Sequence, residues 1–266
     1  MVNMDKIFVI ADIHSGPDKK STIHPGYFRQ KSDLAKEELK NITKYLPQKI
    51  NLYLQIGDLV RYTFGQKKDS DTNNFVKINQ ILSEIFPKII NITGNHDTEI
   101  QENHTSNIEK VELDNGTIII IDPNDPWKLD ISEIDKLKKL LNTTSKPILM
   151  FTHIPMFPID ANDNFYFYQR EHNQYFQNYQ EIYNLLKAKS KVFIISGHYH
   201  WLSSTEIDRN IKQITLPAFS ENIITSPKSK IHPCVYNLIE INKGKLIIKS
   251  YSRQFCFSSL EFSIPH

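Results

Sequence analysis

Short apolar runs rich in β-branched residues recur along the chain: Ile7-Phe8-Val9-Ile10, Leu52-Tyr53-Leu54, Ile89-Ile90-Asn91-Ile92, Ile148-Leu149-Met150-Phe151 and Val192-Phe193-Ile194-Ile195. Runs of this length with little alternation predict strands buried on both faces. Between them the spacing predicts helices over Leu34–Tyr45, Phe75–Ile85 and Ile131–Leu141. In the last of these, Ile131, Ile134, Leu137, Leu140 and Leu141 share one face, and Asp130 with Glu133 predicts a capping box. A further amphipathic helix, carrying Tyr175, Tyr179, Ile182 and Leu186, is expected to pack on a sheet. Asp18–Ser21 and Gln66–Asn74 read as surface loops.

Alternating strands and helices make an α/β protein, and in such folds ligands sit beyond the carboxyl ends of the strands. The final third changes character: Gln213–Leu216, Val235–Ile241 and Lys245–Tyr251 predict antiparallel strands, the last two joined by an Asn242-Lys243-Gly244 turn. From these a second sheet, packed on the first, is expected, within one domain over residues 1–266.

Composition narrows the class. With 39% hydrophobic and 23% charged residues among 266, the chain can bury a substantial core. Lys plus Arg number 32 against 30 Asp plus Glu, a formal charge of +2, so attraction to phosphate must be local and nucleic acid is not an expected partner. Cys234 and Cys256 lack CxxC spacing, which argues against a zinc knuckle or a redox pair. The apolar segment Ile7–Ile10 is too short for a secretory leader and no run is long enough to span a membrane, so a cytoplasmic location is expected.

The candidate chemistry lies at the strand ends. Asp12-Ile13-His14, Gly57-Asp58, Gly94-Asn95-His96-Asp97, His153, and Gly197-His198-Tyr199-His200 each follow an apolar run. Residues i and i+2 at a strand end, where the chain turns outward, can both reach one ion. Carboxylate, imidazole and amide donors suit divalent Mn, Fe, Co, Ni or Zn, and the absence of thiolate argues against a closed structural zinc site. Taken singly each cluster is an ordinary turn. Their concentration at the ends of buried strands would be costly unless something binds there.

In these five ordered blocks the sequence resembles the calcineurin-like metallophosphoesterase superfamily, with its Asp-x-His, Gly-Asp, Gly-Asn-His-Asp/Glu, His and Gly-His-x-His pattern. The resemblance implies a four-layer α-β-β-α sandwich of two mixed sheets flanked by helices, and two divalent ions. It assigns Asp12, His14 and His200 to the first ion, Asp58 to both, and Asn95, His153 and His198 to the second. His96 becomes the acid or electrostatic partner beside the ions, and Asp97 the carboxylate that orients it. Two cations about 3.5–4 Å apart would activate a water for in-line attack on the phosphorus. The pattern departs at Arg61, where many relatives carry Asp or Asn; a phosphate clamp and an outward surface residue are both readings of it.

The expected function is hydrolysis of a small-molecule phosphomonoester or phosphodiester, nucleotides among them. The alternatives are a nuclease of the same chemistry, against which the balanced charge counts, and a catalytically silent interaction scaffold, against which the filled ligand positions count. The aromatic stretch 164–170 is either a substrate-stacking loop or plain packing.

Overall fold

The computed structural model describes residues 4–15, 32–60, 68–86, 88–98, 100–101, 104–160, 174–219 and 234–264. Arg61 and the aromatic stretch 164–170 lie outside these residues. In chain order the elements are β1 (Asp5–Ile10), α1 (Ser32–Ile42), β2 (Leu52–Ile56), α2 (Lys68–Ile85), β3 (Ile90–Ile92) and the single turn α3 (Asn95–Thr98). They continue as β4 (Asn107–Glu112), β5 (Thr117–Asp122), α4 (Ile131–Asn142), β6 (Ile148–Thr152), α5 (Tyr179–Leu186) and β7 (Val192–Ser196). The chain closes with β8 (Ser203–Asp208), β9 (Ile211–Thr215), β10 (Val235–Ile241), β11 (Lys245–Ser252) and β12 (Phe255–Ser263).

Each predicted helix forms, with shifted ends; α2 begins at Lys68, so most of Gln66–Asn74, expected as a surface loop, is instead its first two turns. The capping box of α4 is present: Asp130 accepts from the Glu133 amide at 2.9 Å, and Glu133 accepts from the Asp130 amide at 2.7 Å. In α5, Ile182 and Leu186 are buried, as their spacing requires.

Two six-stranded sheets result. The first has the order β12-β11-β10-β1-β2-β3 and the second β4-β5-β6-β7-β9-β8. Both are mixed: β1, β2 and β3 run parallel, as do β5, β6, β7 and β9. Alternate residues of these strands build three cores. Ile7, Val9, Leu54 and Ile56 meet Ile118, Ile120, Phe151 and Ile195 between the sheets. Phe8 and Ile10 pack beneath α1 and α2 with Leu39, Ile42, Ile78 and Leu82. Met150 and Ile194 pack beneath α4 and α5 with Leu137, Leu141, Ile182 and Leu186. The layers are therefore α-β-β-α. Strands buried on both faces read as unbroken apolar runs, which is why the sequence marks them so strongly.

The expected origin of the second sheet needs correction. The final third does not build it alone: β10 to β12 extend the first sheet, Ile7 of β1 lying opposite Ile239 of β10. In the second sheet β9 runs parallel to β7 and antiparallel only to β8. All seven residues of β10 are buried, and such a strand can only lie in a sheet's interior. Among the described residues no helix is long and apolar enough to cross a membrane.

Candidate metal centre

The parallel strands deliver their carboxyl ends to one place. Asp12 and His14 follow β1, Asp58 follows β2, and Asn95 to Asp97 follow β3; His153 follows β6, and His198 and His200 follow β7. Both sheets thus contribute. Asp12, His14, Asp58, His198 and His200 all have positive φ, between 48° and 67°, which turns each chain sharply outward after its strand. Hydrogen bonds lock these turns together. The His14 amide donates to the Asp58 carbonyl at 2.9 Å, the His198 amide to the Asp12 carboxylate at 3.0 Å, and the His96 amide to Asp58 Oδ1 at 2.9 Å.

Three overlapping groups of donors form, each with ligand atoms within 4.8 Å of one another: Asp12, His14 and His200; His14, Asp58 and His96; and Asp58, His153 and His198. His14 Nε2 lies 3.1 Å from His200 Nε2 and 3.5 Å from Asp58 Oδ2, and His200 Nε2 lies 3.3 Å from Asp12 Oδ1. On the other side His153 Nε2 is 3.3 Å from Asp58 Oδ2 and 3.0 Å from Asn95 Oδ1. The His96 ring, 32% exposed, reaches to 4.0 Å from Asp58 Oδ2.

The electrostatics fit a cation centre. Asp12 and Asp58 are fully buried, and the partners described within ion-pair distance of both are imidazoles, which carry charge only when protonated. Burial pushes the Asp58 carboxyl up, yet His153, His96 and His14 together hold it well below the usual range. Burial lowers His14 to about 3 and His198 well below its ordinary value, so both present neutral lone pairs, the form that binds metal. His153 Nδ1 donates to the Ile56 carbonyl at 3.0 Å, fixing the ring so that Nε2 faces Asp58 and Asn95. Three acceptors converging there need a proton or a cation between them. Against the effect of burial, the Asp58 charge raises His153 to about 9, so the proton fills that place when no cation does.

All nine predicted site residues are brought together, but Asp97 is placed differently from the expectation. Its carboxylate accepts the amides of Gly94, Leu59 and Val60 at 3.0, 3.1 and 3.2 Å. No hydrogen bond joins it to the His96 ring among the described residues. Consecutive positions on a helical turn point apart, so Asp97 instead ties the Asp58 loop to the Asn95 turn. His24, His172, His232 and His266 lie outside the described residues.

Two neighbours of the site escaped the sequence reading. Trp127 sets its ring 5.6 Å from that of His198, at 80°. Asp122 is the last residue of β5, a carboxylate closing an apolar run, which is a signal visible in the sequence.

Gly57 has φ +87°, and a Cβ there would collide with the His153 ring. Gly57→Ala should cost about 1–3 kcal/mol in backbone strain alone and displace the imidazole. A thermal midpoint several degrees lower, with weakened metal binding, is expected in melts with and without metal; an unchanged midpoint would contradict the close packing of this turn.

The fold and these donors define a metal-dependent hydrolase of phosphoric esters. The chain belongs to the calcineurin-like phosphoesterase family, whose profile matches residues 5–212 and so includes every site residue. A dimetal phosphatase from Danio rerio is 12% identical, with a TM-score of 0.73 over 97% of this chain and 98% of that one. Purple acid phosphatase PPD1 from yellow lupin seeds is 10% identical, with a TM-score of 0.67 over 99% of this chain and 54% of that one. At such identities the likeness is one of fold. No curated protein matches by sequence.

Proposed function

We propose that the protein hydrolyses a small-molecule phosphomonoester or phosphodiester, nucleotides included, at two divalent ions. The observation that carries this reading is the sharing of Asp58 between donor groups on its two sides. Asp12, His14 and His200 would hold one ion, Asn95, His153 and His198 the other, and the Asp58 carboxylate both. Such ions, when bound, supply the nucleophile by acidifying a water and offset phosphoryl charge; Mn, Fe, Co, Ni and Zn all suit these donors.

The chain's own residues do the rest. The bonds among the turns hold the donors in place before substrate arrives. The partly exposed His96 ring stands at the rim, where it can donate a proton to the departing oxygen. Asp97 keeps the His96 turn against the Asp58 loop. A nuclease is disfavoured by the net charge of +2, and a silent scaffold by the complete donor set. The inter-sheet core supports reading residues 1–266 as one domain.

The test is hydrolysis of p-nitrophenyl phosphate and bis-p-nitrophenyl phosphate by metal-stripped protein resupplied with Mn, Ni, Zn or Mg, with metal content measured in parallel. Two ions per chain and metal-restored cleavage are expected, and the preferred compound identifies the ester class. Two ions without cleavage would mean a narrow substrate requirement, whereas neither metal nor cleavage would sink the proposal in favour of the scaffold.

A further inference from the structure

Thr93 joins β3 to the turn that carries Asn95 and His96, and a residue of the opposite sheet holds it. Asp122 Oδ1 accepts the Thr93 amide at 2.9 Å, and Oδ2 lies 3.3 Å from the Thr93 hydroxyl. His104 closes the cluster: its Nδ1 is 3.3 Å from the same hydroxyl, and its Nε2 donates to the Pro123 carbonyl at 3.0 Å and lies 3.4 Å from Asp122 Oδ1. The edge strand β3 is only three residues long and, among the described residues, pairs with β2 alone, so its ladder gives the following turn little support.

We infer that Asp122 is a positioning residue for the metal centre, fixing Thr93, with the help of His104, so that Asn95 and His96 stand at the right distance from Asp58 and His153. Asp122 is 6% exposed, and burial raises its carboxyl above the usual range, to about 6. As one rigid group it receives both the amide and the hydroxyl of Thr93 and faces His104 as well. A buried side chain that holds the residue two positions before the ligand Asn95 from the opposite sheet has a geometric duty toward the site.

The inference rests on the two-ion reading above, and calorimetric titration of metal-stripped protein separates the two. The parent should bind two ions. Asp122→Ala should weaken the ion held by Asn95, His153 and His198 about 10–100-fold, leaving the ion held by Asp12, His14 and His200 within about twofold. Turnover should fall more than KM changes, because His96 rides on the same turn. Asp122→Asn keeps an acceptor for the Thr93 amide and should restore most of the lost affinity. If Asp122→Ala does not fold, Thr93→Val decides: it deletes only the hydroxyl contacts, and a smaller loss confined to the same ion is expected.

Equal weakening of both ions, or of neither, in Asp122→Ala or, failing that variant, in Thr93→Val would overturn the inference while leaving the two-ion reading intact. A parent that binds no metal would overturn both.

Discussion

Asp58→Ala is expected to remove both metal binding and activity. Asp58 Oδ2 lies 3.3 Å from His153 and 3.5 Å from His14, so one truncation takes a ligand from each side of the centre. Oδ1 also accepts the His96 amide, so the turn carrying the candidate proton donor is released too. The imidazoles would then face one another without the carboxylate that attracts cations to them. A fall in kcat/KM of about 10³-fold or more, equivalent to at least about 4 kcal/mol of transition-state stabilisation, should accompany metal content below one ion per chain. Atomic absorption on dialysed protein checks the metal, and two retained ions would sink the bridging role.

His96→Ala should separate chemistry from metal binding. The ring stands 4.0 Å from Asp58 Oδ2 and is 32% exposed, while the backbone amide that secures the turn survives the substitution. Turnover is expected to fall about 10²–10⁴-fold with the metal content of the parent. The fall should be steeper for alkyl than for p-nitrophenyl esters, because p-nitrophenolate departs without needing a proton. Loss of metal equal to that in Asp58→Ala, or the same fall for both ester types, would remove His96 from the role of acid.

The donors were legible in the sequence because each sits just past an apolar run and the i, i+2 spacing needs only local geometry. Asp12 with His14 and His198 with His200 illustrate this. What was not legible depends on partners far along the chain. Asp97 takes amides 37 and 38 residues away, so its partner could not be read from spacing. Asp122 acts on Thr93, 29 residues away and in the other sheet. The sheet membership of β10 was lost in the same way, since its pairing with β1 spans most of the chain. The edge strands β4, β8 and β12 alternate or stay half exposed, which leaves them little apolar signal.

The left-handed backbone at Asp12, His14, Asp58, His198 and His200 carries a cost in stability. Residues with a Cβ are strained in that region by roughly 1 kcal/mol or more, and glycine would relieve the strain at every one of these positions. Glycine would at the same time delete a donor and, at Asp12 and Asp58, the carboxylate that accepts the His198 or His96 amide. The same five side chains thus carry the backbone strain of the turns and supply the bonds and donors that hold the centre together.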